Sequence, residues 1–144
     1  NLEFSNLKIG DTIKDLAFNV GKTFGHRKEK IYEDLTVISA SKEGNNVILF
    51  AGCAHRGIIN IIRKAEEVTG RTPTHVLAGM HLVKSGLDAI SENAFISTLA
   101  SELRKYRGTM FYTMHCTGPE QYAKLKSHLG EQIGYLACGD TILL

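Results

Sequence analysis

No stretch of this sequence approaches the ~20 consecutive apolar residues that a membrane-spanning helix needs, and no signal-peptide pattern opens it. A membrane partner is therefore not expected. An excess of one charge is also lacking: 17 basic residues face 15 acidic ones, a formal net charge of +2. That balance argues against a nucleic-acid partner. The densest basic cluster, His26-Arg27-Lys28 with Lys30, is interrupted by Glu29 and reads as a solvated loop. Cysteine is scarce: there are three, an odd number with no CxxC pair, so a disulfide framework does not fit. A reducing, cytoplasmic setting is the expectation. Low-complexity segments and internal repeats are absent as well.

What is present is 144 residues, 43% of them hydrophobic, which suffices for one globular core. Residues 1–34 read as a poorly defined N-terminal segment or loop: Phe4, Leu7 and Ile9 alternate with polar residues, but from Ala17 to Tyr32 there is no sustained period of either kind. From residue 35 to residue 144 the pattern is that of one domain. A strand is predicted over 35–38, a turn at Gly44-Asn45-Asn46, and a second strand over Val47–Ala51, which is apolar at every position and so suits burial on both faces. Ile58, Ile61, Ile62, Ala65 and Val68 then form a helical stripe with Gly70 as its stop. A strand is predicted over 74–78. Phe95, Ile96, Leu99, Leu103 and Tyr106 mark a second helix, capped by Asp88 or Ser91, with Gly108 past its end. A strand over 109–113 follows. Thr117-Gly118-Pro119-Glu120 has the form of a capping box with proline in the first turn, opening a third helix that Gly130 ends. Strands over 133–137 and 141–144 around a turn at Gly139-Asp140 close the chain. Strands alternating with helices imply an α/β layer arrangement with parallel central strands.

Three of these strands run straight into a short turn bearing a histidine: Gly52-Cys53-Ala54-His55, Gly79-Met80-His81 and Met114-His115-Cys116. In open α/β sheets ligands bind beyond the carboxyl ends of the strands. If the strands are parallel neighbours, the three imidazoles share one crevice, and converging neutral imidazoles suit a divalent metal. A single histidine after a strand is more often a hydrogen-bonded loop residue than a ligand; three in equivalent places make coincidence a weaker account, and the pattern alone leaves both readings open. His26, His75 and His128 lack the placement and read as structural or surface residues. Cys53 and Cys116 adjoin candidate ligands, but the reading favours buried packing residues over thiolate ligands. Cys138 is expected in the core. Arg56, where a helix begins, is a candidate for holding an anionic substrate group.

The motifs GCAHRGIIN at 52–60, GMHL at 79–82 and HCTG at 115–118, in that order, resemble one branch of the metallo-β-lactamase superfamily. That branch is similar to the dihydropterin-methyl-ribofuranosylaminobenzene 5′-phosphate synthases, and the resemblance covers roughly residues 33–144. It implies an α/β fold that is the C-terminal αβ half of an αβ/βα sandwich, a mixed sheet flanked by helices. It implies His55 as the third metal-ligand motif and His115 as the final ligand histidine. His81 stands where most of the superfamily places a bridging aspartate, a departure that suits this branch. Asp88 is the nearest downstream carboxylate. The superfamily's HxHxDH signature does not occur in these 144 residues.

The function so implied is a metal-dependent hydrolase that activates a metal-bound water against a small-molecule, phosphorylated or pterin-like substrate. The metal is expected to be zinc, with iron, nickel and manganese as alternatives. The expected partner is the N-terminal half of the same fold or another chain, and a homo-oligomer is compatible with this. Two other readings stand beside it: an autonomous three-histidine zinc hydrolase, and a non-catalytic metal-binding or assembly module.

Overall fold

The computed structural model describes residues 36–40, for which only the backbone is considered, 46–83 and 88–142. The segment 1–34 and the ends of three predicted features, Leu35, Gly44-Asn45 and Leu143-Leu144, lie outside the described residues. Among the described residues five strands form one sheet whose spatial order equals their chain order. β1 (Thr36–Ala40) pairs antiparallel with β2 (Val47–Ala51), with Ile38 opposite Leu49. β2, β3 (His75–Ala78), β4 (Met110–Thr113) and β5 (Ile133–Tyr135) are mutually parallel, so that Leu49, Val76, Phe111 and Ile133 lie in one row.

Three helices make the crossovers: α1 (Ile58–Thr69), α2 (Ala89–Arg104) and α3 (Pro119–Leu129). Each crossover steps to the next strand in the same direction. Crossovers of one hand that step the same way place every helix on one face. The core agrees: Val47, Leu49, Val76, Ala78, Phe111 and Ile133 on one sheet face cluster with Ile58, Ile61, Ile62 and Ala65 of α1, Ile96, Ala100 and Leu103 of α2, and Leu125 and Leu129 of α3. The alternate residues Phe50, Leu77, Met110 and Tyr112 point to the opposite face and are half-buried, outside that cluster. Among the described residues no helix is long and apolar enough to cross a membrane.

Local chemistry explains the boundaries. Gly70 takes the left-handed conformation (φ 67°) and its N–H returns to the Glu66 carbonyl at 2.8 Å, which ends α1. Asp88 caps α2 by accepting from the Ile90 and Ser91 N–H groups at 3.0 and 2.9 Å. Several expectations need correction. α2 stops at Arg104, and Phe95 is 45% exposed because the buried stripe runs through Ile96, Ala100 and Leu103, leaving Phe95 at its border. Val68 is likewise exposed, in the last turn of α1. The capping box at Thr117 does not form: Gly118 (φ 79°) is the N-cap, with no side-chain cap bond. The Thr117 hydroxyl is wholly buried and used elsewhere. Cys138 lies on the surface in the turn after β5, and β5 ends at Tyr135. Thr141 and Ile142 belong to no strand.

Candidate metal centre

The carboxyl ends of β2, β3 and β4 are adjacent because these strands pair in parallel and in register, with Ala51, Ala78 and Thr113 in one row. Each chain leaves that row into one of the histidine-bearing turns. The turns are tied to one another by hydrogen bonds. The Gly79 N–H donates to the Gly52 carbonyl at 2.9 Å, and the Leu82 and Val83 N–H groups donate to the Cys116 carbonyl at 3.0 and 3.2 Å. The Met80 N–H donates to the buried Thr117 hydroxyl at 2.9 Å, which also bonds Thr113, whose own hydroxyl reaches the Ala78 carbonyl at 3.0 Å. Thr117 thus adds a side-chain tie between the second and third turns, a role hidden in the sequence by its capping-box spacing.

Backbone strain concentrates here. The non-glycine residues with positive φ among the described residues are Ala54 (53°), His81 (47°) and His115 (50°), one in each turn. An L-residue in this region costs about 1–3 kcal/mol and persists only where its surroundings over-determine it, as functional sites do. Gly79 contributes by having no side chain: a Cβ there would lie 2.7 Å from Cys116 Sγ.

The structure brings the predicted residues together in two groups. His55 and His81 adjoin, with ring centroids 4.2 Å apart and planes at 57°. His81 is half-buried, and its Nδ1 is buried without a hydrogen-bond partner. Such an atom costs about 1–3 kcal/mol unless something satisfies it, and a ring nitrogen with a lone pair to offer suits a metal ion. His115, exposed, joins the second group: its Nδ1 stands 3.6 Å from Cys53 Sγ, and with Cys116 Sγ these ligand atoms all lie within 4.8 Å of one another. Among the described residues that is the His/Cys/Asp/Glu group compact enough to hold one ion. The two thiols, read from sequence as packing residues, are therefore half-buried inside the site. Their adjacency to two of the three histidines was the signal. Burial pushes the Cys116 thiol pKa up, opposed by the His81 backbone N–H and reinforced by the neighbouring Cys53 thiol.

The remaining candidates are placed as follows. Arg56 is exposed at the start of α1, its carbonyl accepting from Asn60 Nδ2 at 2.7 Å. Asp88 spends its carboxylate on capping α2. His75 sits at the opposite, amino end of β3, bonded to Thr74 Oγ1 at 3.0 Å, and burial lowers its pKa. His128 is exposed in the last turn of α3, and His26 lies outside the described residues. A shallow cavity of about 580 Å³ lined by Arg104, Arg107 and Gln132 also lies at the amino end of the strands, away from the histidines.

No family model matches the chain. It is 30% identical over 117 residues to an uncharacterized protein of Methanocaldococcus jannaschii, an alignment covering 74% of this chain and 39% of that protein. It is 28% identical over 91 residues to the 7,8-dihydropterin-6-methyl-4-(β-D-ribofuranosyl)-aminobenzene-5′-phosphate synthase of the same organism, covering 62% of this chain and 28% of the synthase. Among solved structures, a metal-dependent hydrolase of the β-lactamase superfamily superposes with a TM-score of 0.59 at 25% identity, covering 76% of this chain and 40% of that one. The chain spans about two fifths or less of the length of each of these proteins.

Proposed function

With the described sheet and helices being the C-terminal αβ part of a metallo-β-lactamase-type domain, we propose that this chain supplies His55, His81 and His115 to the metal site of a hydrolase. The observation that carries the reading is the conjunction at the carboxyl ends of β2–β4. Three turns each hold one non-glycine residue in the left-handed region, and one of those residues is His81, whose buried Nδ1 has no partner. A divalent ion such as zinc, which imidazoles accept, would supply Lewis acidity and a nucleophile near neutral pH when bound. The chain's own contribution is to hold the imidazoles in fixed directions through the Gly79–Gly52, Leu82–Cys116 and Met80–Thr117 hydrogen bonds.

A small phosphorylated substrate is favoured because the synthase relative is named for a 5′-phosphate. Arg56, exposed at the helix start beside His55, offers a cation to such a group. The partner is the N-terminal half of the same fold, whether on this polypeptide or another. The half-buried face of Phe50, Leu77, Met110 and Tyr112, opposite all three helices, suits a second sheet layer. A reducing cytoplasmic compartment keeps Cys53 and Cys116 as thiols.

The test is hydrolysis of a panel of phosphate mono- and diesters in the presence of zinc. It compares the 144-residue chain alone with the same chain completed by an N-terminal half bearing HxHxDH. Turnover only in the completed protein, lost in His55→Ala and His115→Ala, is the expected result. Turnover by the 144-residue chain alone would make it an autonomous enzyme. Zinc binding without turnover in the completed protein would leave an assembly module.

A further inference from the structure

Cys53 and Cys116 are not needed by the histidine reading, yet the fold goes to some length to seat them. Gly79 is buried, and its missing Cβ is what leaves room for Cys116 Sγ, which would otherwise be met at 2.7 Å. Cys116 Sγ lies 3.7 Å from the Cys53 carbonyl, so the third turn reaches back to the first. Cys53 Sγ faces His115 Nδ1 at 3.6 Å. For a tetrahedral ion with a metal–sulfur bond of about 2.3 Å and a metal–nitrogen bond of about 2.05 Å, the sulfur-to-nitrogen edge is about 3.6 Å. The observed separation, which a thiol–imidazole hydrogen bond also has, matches that of two ligands on one ion, and the third donor is within the same 4.8 Å group.

We propose that Cys53, His115 and Cys116 form a thiolate-containing metal subsite beside the His55–His81 pair, one that takes soft or borderline ions such as zinc in preference to magnesium, calcium or manganese. Two sulfurs and one imidazole nitrogen leave a fourth position open, and thiolates select by softness where carboxylates and imidazoles do not. The subsite rests on the function proposed above only through the sharing of His115.

The experiment is cobalt(II) substitution of the reduced 144-residue chain, followed by absorption spectroscopy. One equivalent of cobalt is expected to give an intense near-ultraviolet sulfur-to-cobalt charge-transfer band together with tetrahedral visible bands. Cys53→Ser and Cys116→Ser should each remove about half of the charge-transfer intensity, and the double substitution all of it. Cys138→Ser, which changes an exposed thiol outside the group, should leave the band intact, as should His55→Ala. Circular dichroism of each variant reports retention of the fold. Cobalt bound without the band, a band that persists in the Cys53→Ser/Cys116→Ser protein, or no cobalt bound at all would overturn the proposal. Cobalt bound without the band but lost in His55→Ala or His81→Ala would overturn it while leaving the histidine reading intact.

Discussion

Gly79→Ala is the substitution whose cost can be worked most directly from the geometry. The residue is buried at the end of β3, and no positive φ bars an alanine there, so the effect is one of space. Its new Cβ would lie 2.7 Å from Cys116 Sγ, 3.3 Å from the Gly52 oxygen and 3.4 Å from Cys53 Cα. The first contact is roughly 0.8 Å short of a comfortable ~3.5 Å approach. The other two are backbone and cannot yield cheaply. Overpacking of this kind costs about 1–3 kcal/mol, and about 0.4–1 kcal/mol is recovered because alanine restricts the unfolded chain. A net loss of about 1–2 kcal/mol is expected in urea unfolding followed by circular dichroism. Because most of the clash is with one sulfur, Cys116→Ala should relieve it. In the double-mutant cycle, Gly79→Ala/Cys116→Ala should be more stable than the sum of the single changes by about 1 kcal/mol. A Gly79→Ala protein as stable as the wild type, or strictly additive single changes, would refute this account of the turn.

Three further outcomes are expected. Since His115 holds φ 50° with an exposed side chain, His115→Gly should be more stable than His115→Ala by about 0.5–1 kcal/mol in chelator, the reverse of the usual order, because only glycine occupies that region without strain. Thr117→Val strands the Met80 N–H, so it should cost about 1–3 kcal/mol and speed hydrogen exchange at the Met80 amide. A loss under about half a kcal/mol would mean that the hydroxyl ties nothing. The Asp88 carboxyl is held below its ordinary value of 3.8 by the Ser91 N–H first, then by the Ser91 hydroxyl and the Ile90 N–H. Its stabilisation is therefore fully present above pH 3.8 and lost as pH falls through the lower, folded value. The stability gap between wild type and Asp88→Ala, followed by thermal unfolding at a series of pH values, should shrink on acidification and not on alkalinisation.

The parts of the fold legible in the sequence were those set by period and by a single local residue. Val47–Ala51 is apolar throughout and is a central strand; Gly70 and Asp88 terminate helices through bonds within a few residues of themselves. The positions of His55, His81 and His115 followed from the same logic, since a turn directly after a parallel strand must open at the carboxyl edge of the sheet. What sequence could not carry was decided by partners far along the chain. Thr117 has perfect spacing for a capping box, yet Met80, 37 residues away, claims its hydroxyl. Cys53 and Cys116 are 63 residues apart and meet only because Gly79 lets them. Cys138 looked like a core residue by type but falls in a surface turn. The left-handed backbone at Ala54, His81 and His115 is not legible in the sequence, because alanine disfavours it, histidine adopts it only in a minority of cases, and the knitted turns impose it.

The central claim is that the histidines following β2, β3 and β4 hold a metal ion and the remaining ones do not. The most direct measurement is long-range nitrogen–proton NMR of the imidazole rings in the 144-residue chain, before and after saturation with zinc. The ring nitrogens of His55, His81 and His115 should move to the chemical shifts of metal-bound imidazole, while those of His75 and His128 stay where they were. Unmoved rings at His55, His81 and His115, or shifts confined to His75 and His128, would contradict it.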